Sequence, residues 1–238
     1  MTLIKSISGI RGTIGGKPSE NLTPIDAVKF AAAYGSWLKN KNGEDGVKVV
    51  VGRDARISGE MIQQLVMNTL VGLGINIVDL GLSTTPTVEI AVPMENAQGG
   101  IILTASHNPK QWNALKLLNE KGEFLNGEEG AKILEIAEKA DFSFAEVDEL
   151  GKIEKVDHYI DTHIEEVAKL PLVNVESIKK ANFTVVVDAV NSTGGIAIPK
   201  LLKHLGVNVI ELYCEPTGNF PHNPEPLKEH LGDICELV

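Results

Sequence analysis

The chain has 238 residues, 43% hydrophobic and 23% charged, and carries a net charge of −10 at pH 7. That composition describes a globular protein of one or two domains with room for substantial cores. The acidic balance excludes a general nucleic-acid binder, which needs a basic face, and no apolar run approaches the roughly 20 residues that span a bilayer. No signal-peptide pattern opens the chain, and Cys214 and Cys235 have neither metal nor redox spacing, so the expected compartment is the cytoplasm.

Leu3 to Ser8 alternates weakly and reads as a short strand. Gly9 to Gly16 (GIRGTIGG) is a glycine-dense loop, either a tight turn or a backbone that approaches a phosphate with Arg11 beside it. It is not a P-loop, because Pro18 follows Lys17 and the glycine spacing fails. Thr23, Pro24 and Asp26 mark a helix start, and that helix is predicted to reach Leu38 before the Asn40–Gly46 turn cluster. Val47 to Val51 is a buried strand, followed by a loop, Gly52 to Gly59 (GRDARISG). Arg53 is expected to pair with Asp54, while Arg56 and Ser58 orient the neighbouring loop or cap the helix Ser58–Leu73. A strand at Ile75–Leu80 and a helix capped by Thr84–Thr87 come next.

Gly100 to Leu103 is an apolar strand that breaks abruptly into Thr104-Ala105-Ser106-His107-Asn108-Pro109. Open α/β sheets bind ligands where strands end in this way, and Asn108-Pro109 restricts the loop to an extended or turn shape. Leu115 to Leu118 returns as a strand and carries Lys116 beside the serine; Gly127 to Ala140 is an amphipathic helix. Asp141 to Gly151, acidic and irregular, suits a boundary between domains 1–150 and 151–238. The alternation of strands and helices predicts an α/β fold, with mostly parallel sheets covered on both faces.

In the second half, Val185-Val186-Val187-Asp188 answers Val49-Val50-Val51-Gly52, and LGVNVIEL at 205–212 answers LGINIVDL at 73–80. The correspondence favours an internal duplication. Asn191 to Gly195 reads as a turn and cap facing the first domain, Cys214 to Pro226 as a loop, and Leu227 to Val238 as a helix. Only three arginines occur, Arg11, Arg53 and Arg56, and their planar forks suit a small anionic ligand. A dinucleotide fold is disfavoured because Ile77 follows Gly72 and Gly74 where G-x-G-x-x-G needs glycine. No G-x-S-x-G of a serine hydrolase occurs either.

Thr104 to Pro109, with Asn113-Ala114-Leu115-Lys116 after it, resembles the phosphoserine loop of the α-D-phosphohexomutases (phosphoglucomutase/phosphomannomutase), where T-A-S-H-N-P precedes N-G-x-K; Ala114 stands in place of the glycine. Ser8 to Gly12 and Gly52 to Gly59 resemble that family's S-G-I-R-G and G-R-D-x-R-x-S-G segments. The resemblance implies tandem three-layer α/β/α domains, the second incomplete here. It implies phosphoryl transfer between the 1- and 6-hydroxyls of a glucose or mannose phosphate through a hexose bisphosphate. Glucosamine phosphate is the alternative, which Thr104 disfavours, and a non-catalytic sugar-phosphate-binding or partner-binding module is the reading from another class.

By resemblance Ser106 is the phosphoryl carrier, Lys116 the general base and Arg11 the stabiliser of the transferring group. His107 and Asn108 shape the loop and contact phosphate or sugar, and Arg53, Arg56 and Asn113 are further phosphate- or substrate-binding candidates. Mg²⁺ would bind a phosphoseryl oxygen of Ser106, with the family's D-x-D-x-D-R ligands expected beyond Val238, since no D-x-D occurs in these 238 residues. A chain of this extent is accordingly expected to lack turnover by itself, and to self-associate through an open sheet edge of its second domain.

Overall fold

The computed structural model describes residues 1–6, 9–43 and 46–238. Its first sheet has seven strands in the order β1-β2-β6-β5-β3-β4-β7. In chain order the elements of this unit are β1 (Ile4–Ser6), β2 (Gly9–Thr13), α1 (Pro24–Asn42), β3 (Lys48–Arg53), α2 (Gly59–Gly72) and β4 (Asn76–Leu82). Then follow α3 (Thr85–Met94), β5 (Gly99–Leu103), β6 (Trp112–Leu118), α4 (Gly127–Lys139) and β7 (Ile153–Lys155). Ile7 and Ser8, the end of the expected first strand, lie outside the described residues, as do Glu44 and Asp45 of the expected turn cluster.

The apolar run Val49-Val50-Val51 is buried from both sides. Val49 and Val51 join the core under α1, α2 and α4, whereas Val50 joins the core under α3. Strands β5, β3, β4 and β7 are mutually parallel, as strand–helix alternation predicts, and β1, β2 and β6 add an antiparallel flank. The sheet is therefore mixed, with three parallel and three antiparallel pairings.

The glycine-dense stretch expected as a loop is a strand: Gly9–Thr13 fills the gap between β1 and β6, with Ile10 opposite Leu115 and Arg11 opposite Ala114. Gly9 makes this possible. It has φ +119°, and a Cβ there would overlap the Leu115 carbonyl. Strand β7 lies past residue 150 yet pairs with β4, so the first sheet extends beyond the expected boundary.

Helix α1 begins with the predicted cap: Thr23 and Asp26 form a reciprocal capping box, and Pro24 occupies the first turn. It runs one turn past Leu38, with Lys39 and Lys41 favourably placed in its last turn. Its Tyr34 is fully buried and donates to the Leu118 carbonyl at 2.7 Å, with the Gly100 carbonyl 3.2 Å away, so it fastens the helix to two strands.

The second unit contains α5 (Tyr159–Lys169), α6 (Val175–Ala181), β8 (Thr184–Asp188), α7 (Gly194–His204), β9 (Asn208–Leu212) and α8 (Gly232–Leu237). The helix expected from Leu227 is a 3₁₀ turn at Lys228–His230 followed by the short α8, the two separated at Leu231, which leaves helical geometry with φ −101°. Helix α5 is shared between the units. Tyr159 enters the α3 core and donates to Glu95 Oε1 at 2.6 Å, while Ile160 and Ile164 pack with Ala197. No helix of the described residues is long and apolar enough to cross a membrane.

The Tyr34→Phe substitution is expected to lower unfolding stability by about 1–3 kcal/mol, since it strips buried strand carbonyls of their donor. Urea denaturation of the two proteins measures the difference.

Candidate active site

Three strands deliver their carboxyl ends to one edge of the first sheet. Arg53 of β3 lies opposite Leu103 of β5, the Asp54 N–H donates to the Leu103 carbonyl at 3.0 Å, and the Ser83 N–H after β4 donates to the Arg53 carbonyl at 2.8 Å. The loops at 54–58 and 104–111 therefore start side by side, where α/β sheets present their ligand crevices.

Ser106 is exposed and stands in the left-handed region, at φ +54°. For a residue with a Cβ this costs on the order of 1–3 kcal/mol, and the surroundings have to impose it. They do so through Thr104, whose hydroxyl donates to Asp54 Oδ2 at 2.7 Å and accepts the Ser106 N–H at 3.1 Å. Asn108 closes the turn, with its backbone N–H and Nδ2 both donating to the Ala105 carbonyl, at 3.1 and 2.7 Å.

Arg56 does the most. It is 1% exposed, and its Nε meets Asp54 Oδ2 at 3.0 Å. Its two terminal nitrogens donate to the carbonyls of Pro109 (2.8 Å), Trp112 (3.0 Å), Ser106 (2.7 Å) and Asn108 (2.7 Å). Burial pulls its pKa down and the Asp54 carboxylate pushes back; a guanidinium stays charged under that contest. All its donors are committed to protein oxygens, so the expectation that Arg56 binds phosphate is replaced by a structural role: it holds the serine loop in shape.

Two other expectations change with it. Arg53 does not pair with the Asp54 carboxylate; its Nε donates to Gln63 Oε1 at 3.0 Å and its terminal nitrogen to the Asp54 backbone carbonyl at 3.2 Å. Asn113 is fully buried on β6, donating to Ser58 Oγ at 3.0 Å and accepting the Ala114 N–H at 2.8 Å, so it cannot touch a ligand in the crevice. Asn108 is engaged within its own turn, as above.

Of the remaining candidates, Arg11 and Lys116 converge. Arg11 pairs with Ala114 and Lys116 with Ile102, so both side chains leave the sheet on the α3 face. Arg11 is exposed and Lys116 half-buried. Burial lowers the Lys116 pKa; Glu89 and Asp54 pull it back up, and the Arg11 and Arg56 charges lower it further. Glu89, on α3, is in turn raised by burial and lowered by Lys116. His107 is exposed, with Nε2 3.3 Å from Glu225 Oε2 of the second unit.

Sequence reasoning missed Glu89 and Glu225 altogether and gave Thr104 no structural task. For Thr104 the signal was present: a hydroxyl two residues before a backbone N–H is a recurrent turn device. Among the described residues no group of three or more His, Cys, Asp or Glu could hold a metal ion. Ser106 offers at most one oxygen, so these residues alone do not make a Mg²⁺ site.

Arg56→Lys keeps the charge but leaves three donors for five acceptors, and is expected to cost about 3 kcal/mol or more in denaturant unfolding. In an NMR titration Lys116 should lose its proton below the pH at which exposed lysines do. Arg11→Ala removes a neighbouring positive charge and should raise that midpoint; Glu89→Gln should lower it.

Two family models match the chain. Residues 3–144 match phosphoglucomutase/phosphomannomutase α/β/α domain I, and residues 157–238 match domain II. A phosphoglucomutase/phosphomannomutase of Thermococcus kodakarensis is 40% identical over 95% of this chain and 50% of its own length. A "probable phosphoglucosamine mutase" of Methanosphaera stadtmanae is 34% identical over 99% of this chain and 51% of its own. The crystal structure of a phosphoglucomutase/phosphomannomutase family protein from Burkholderia thailandensis superposes with a TM-score of 0.79 at 27% identity, over 99% of this chain and 50% of that one. The chain thus spans about half the length of the curated relatives it matches. With both α/β/α domain models matched and the serine loop seated at the sheet edge, the chain belongs to the phosphoglucomutase/phosphomannomutase family.

Proposed function

We propose that this chain carries the phosphoryl-relay half of a mutase that moves a phosphoryl group between the 1- and 6-hydroxyls of glucose or mannose phosphate. The observation that carries the reading is Ser106: an exposed hydroxyl in a left-handed conformation, held by Thr104, Asp54 and Arg56 at the carboxyl edge of the first sheet.

A phosphoryl group on Ser106 Oγ is attacked by a sugar hydroxyl. The new sugar O–P bond forms as the serine O–P bond breaks, leaving a hexose bisphosphate and a free serine hydroxyl. After the bisphosphate turns around, Ser106 Oγ attacks its other phosphoryl group: the serine O–P bond forms as that sugar O–P bond breaks, the serine hydroxyl gives up its proton, the leaving sugar oxygen takes one up, and the product leaves. The attacking hydroxyl must shed a proton, and Lys116 accepts it. That requires a neutral amine, which burial and the nearby arginines favour. Arg11, exposed on the same face, offers its fork to the charge on the transferring phosphoryl oxygens. His107 lies next to the carrier and contacts the phosphoryl group, while Asn108 fixes the turn that aims it.

Mg²⁺ belongs to this reading as the cation that would polarise a phosphoseryl oxygen. The described residues hold no ligand cluster for it, and no step above runs through it. Glucosamine phosphate is the alternative substrate, supported by the name of the Methanosphaera stadtmanae relative. A non-catalytic sugar-phosphate-binding module is the reading from another class.

The full-length protein incubated with labelled glucose 1,6-bisphosphate should carry label on the Ser106 peptide, read by mass spectrometry. Ser106→Ala should carry none and lose mutase turnover by at least about 10³-fold, the scale of removing a covalent carrier. Label on another residue, or binding without label, would reject the assignment.

A further inference from the structure

The long loop between β9 and α8 belongs to the second unit, yet it lies against the residues that hold the Ser106 loop. Gly218, at φ +72°, packs so closely on the Ala55 carbonyl that a Cβ would overlap it, and the Ala55 N–H points at Ser192 Oγ, 3.4 Å away. Phe220 lies with its ring centroid 5.1 Å from the guanidinium carbon of Arg56. Glu225 reaches His107 at 3.3 Å. Phe220 is half-buried but belongs to none of the apolar cores of the described residues. Its burial is explained by Arg56, which has oxygens around its rim and an aromatic ring over its face.

We infer that Phe220 and Glu225 are positioning residues for the carrier serine, Phe220 acting through Arg56 and Glu225 through His107. This rests on the reading of Ser106 as carrier. The physical reason is water exclusion. Four carbonyls of the serine loop and its return to β6 are gathered by one guanidinium, and a ring over the face of that cation keeps water from competing for its N–H groups. The 3.3 Å contact of Glu225 with His107 reaches the residue next to Ser106. Aim of the carrier hydroxyl is then a joint property of both units, although every atom of the carrier belongs to the first.

The test uses the full-length protein, labelled glucose 1,6-bisphosphate, and two readouts: the single-turnover rate of label transfer to Ser106, and amide hydrogen exchange in the 104–112 peptide. Phe220→Leu keeps apolar bulk without an aromatic face. It should slow transfer about three- to tenfold and accelerate exchange at 104–112, with KM for the bisphosphate unchanged; Phe220→Tyr should restore both. Glu225→Gln, at a partly exposed contact with His107, should slow transfer about two- to threefold with faster exchange of the same peptide. Wild-type transfer and exchange in Phe220→Leu or Glu225→Gln overturns the role of that residue. If the wild-type protein takes no label on Ser106, the carrier reading falls, and the exchange rates alone then decide whether the loop is held from the second unit. Thermal unfolding of each variant separates loss of aim from loss of fold.

Discussion

A guanidinium removed from water must find protein oxygens for its N–H groups, and the loops around Arg56 are arranged to supply them. Asp54 provides the countercharge, and four backbone carbonyls converge from residues 106 to 112. Three of them belong to the loop before β6 and the fourth, Trp112, to the first residue of that strand, so Arg56 ties the loop to the sheet. Remove the cation and the loop has to find water instead, which releases Ser106 from a backbone conformation it would not choose. The geometry of the serine loop thus follows from one buried charge three residues after the end of β3.

Much of this was legible in the sequence, for a definite reason. Apolar runs buried on both faces, a capping box at Thr23 and turn chemistry at Asn108-Pro109 are local signals, and the elements they predict exist. What was not legible is which oxygen an arginine meets. Arg53 and Arg56 look alike beside Asp54, yet only Arg56 has a backbone that turns its side chain inward, with its own N–H on Asp54 Oδ1 at 3.0 Å. Asn113 follows the same logic: one residue of shift along a strand decides between the face that carries Lys116 and the opposite one. The Gly9–Gly16 stretch misled because glycine density signals freedom, whereas here it permits close approach to a neighbouring strand.

The second unit repeats the first in detail finer than composition suggests. In both, a leucine caps the helix (Leu73 and Leu205), a glycine follows at positive φ (+80° at Gly74, +74° at Gly206), and the next residue bonds back to the helix: Ile75 to the Leu70 carbonyl at 3.0 Å, Val207 to Leu202 at 2.9 Å. Strand registers agree as well, with Val49 opposite Ile77 and Val185 opposite Val209. The units diverge at their carboxyl edges. There the first commits an arginine to its loop, and the second pairs Asp188 with His222 at 2.7 Å, a contact that helps to raise the His222 pKa against burial.

The insertion of β2 between β1 and β6 has a consequence in time. Arg11 is made early by the ribosome, yet its strand partner Ala114 follows about a hundred residues later, roughly 5–20 s at ordinary rates of synthesis. Through that interval the segment has no neighbour to lie against on its β6 side, and closing so long a loop is slow even when the partner arrives. The nascent chain therefore lays down β3, β4 and β5 before β6 gives its own beginning a place in the sheet, and β7 is added after that, so the antiparallel flank closes in the middle of synthesis and not at its start.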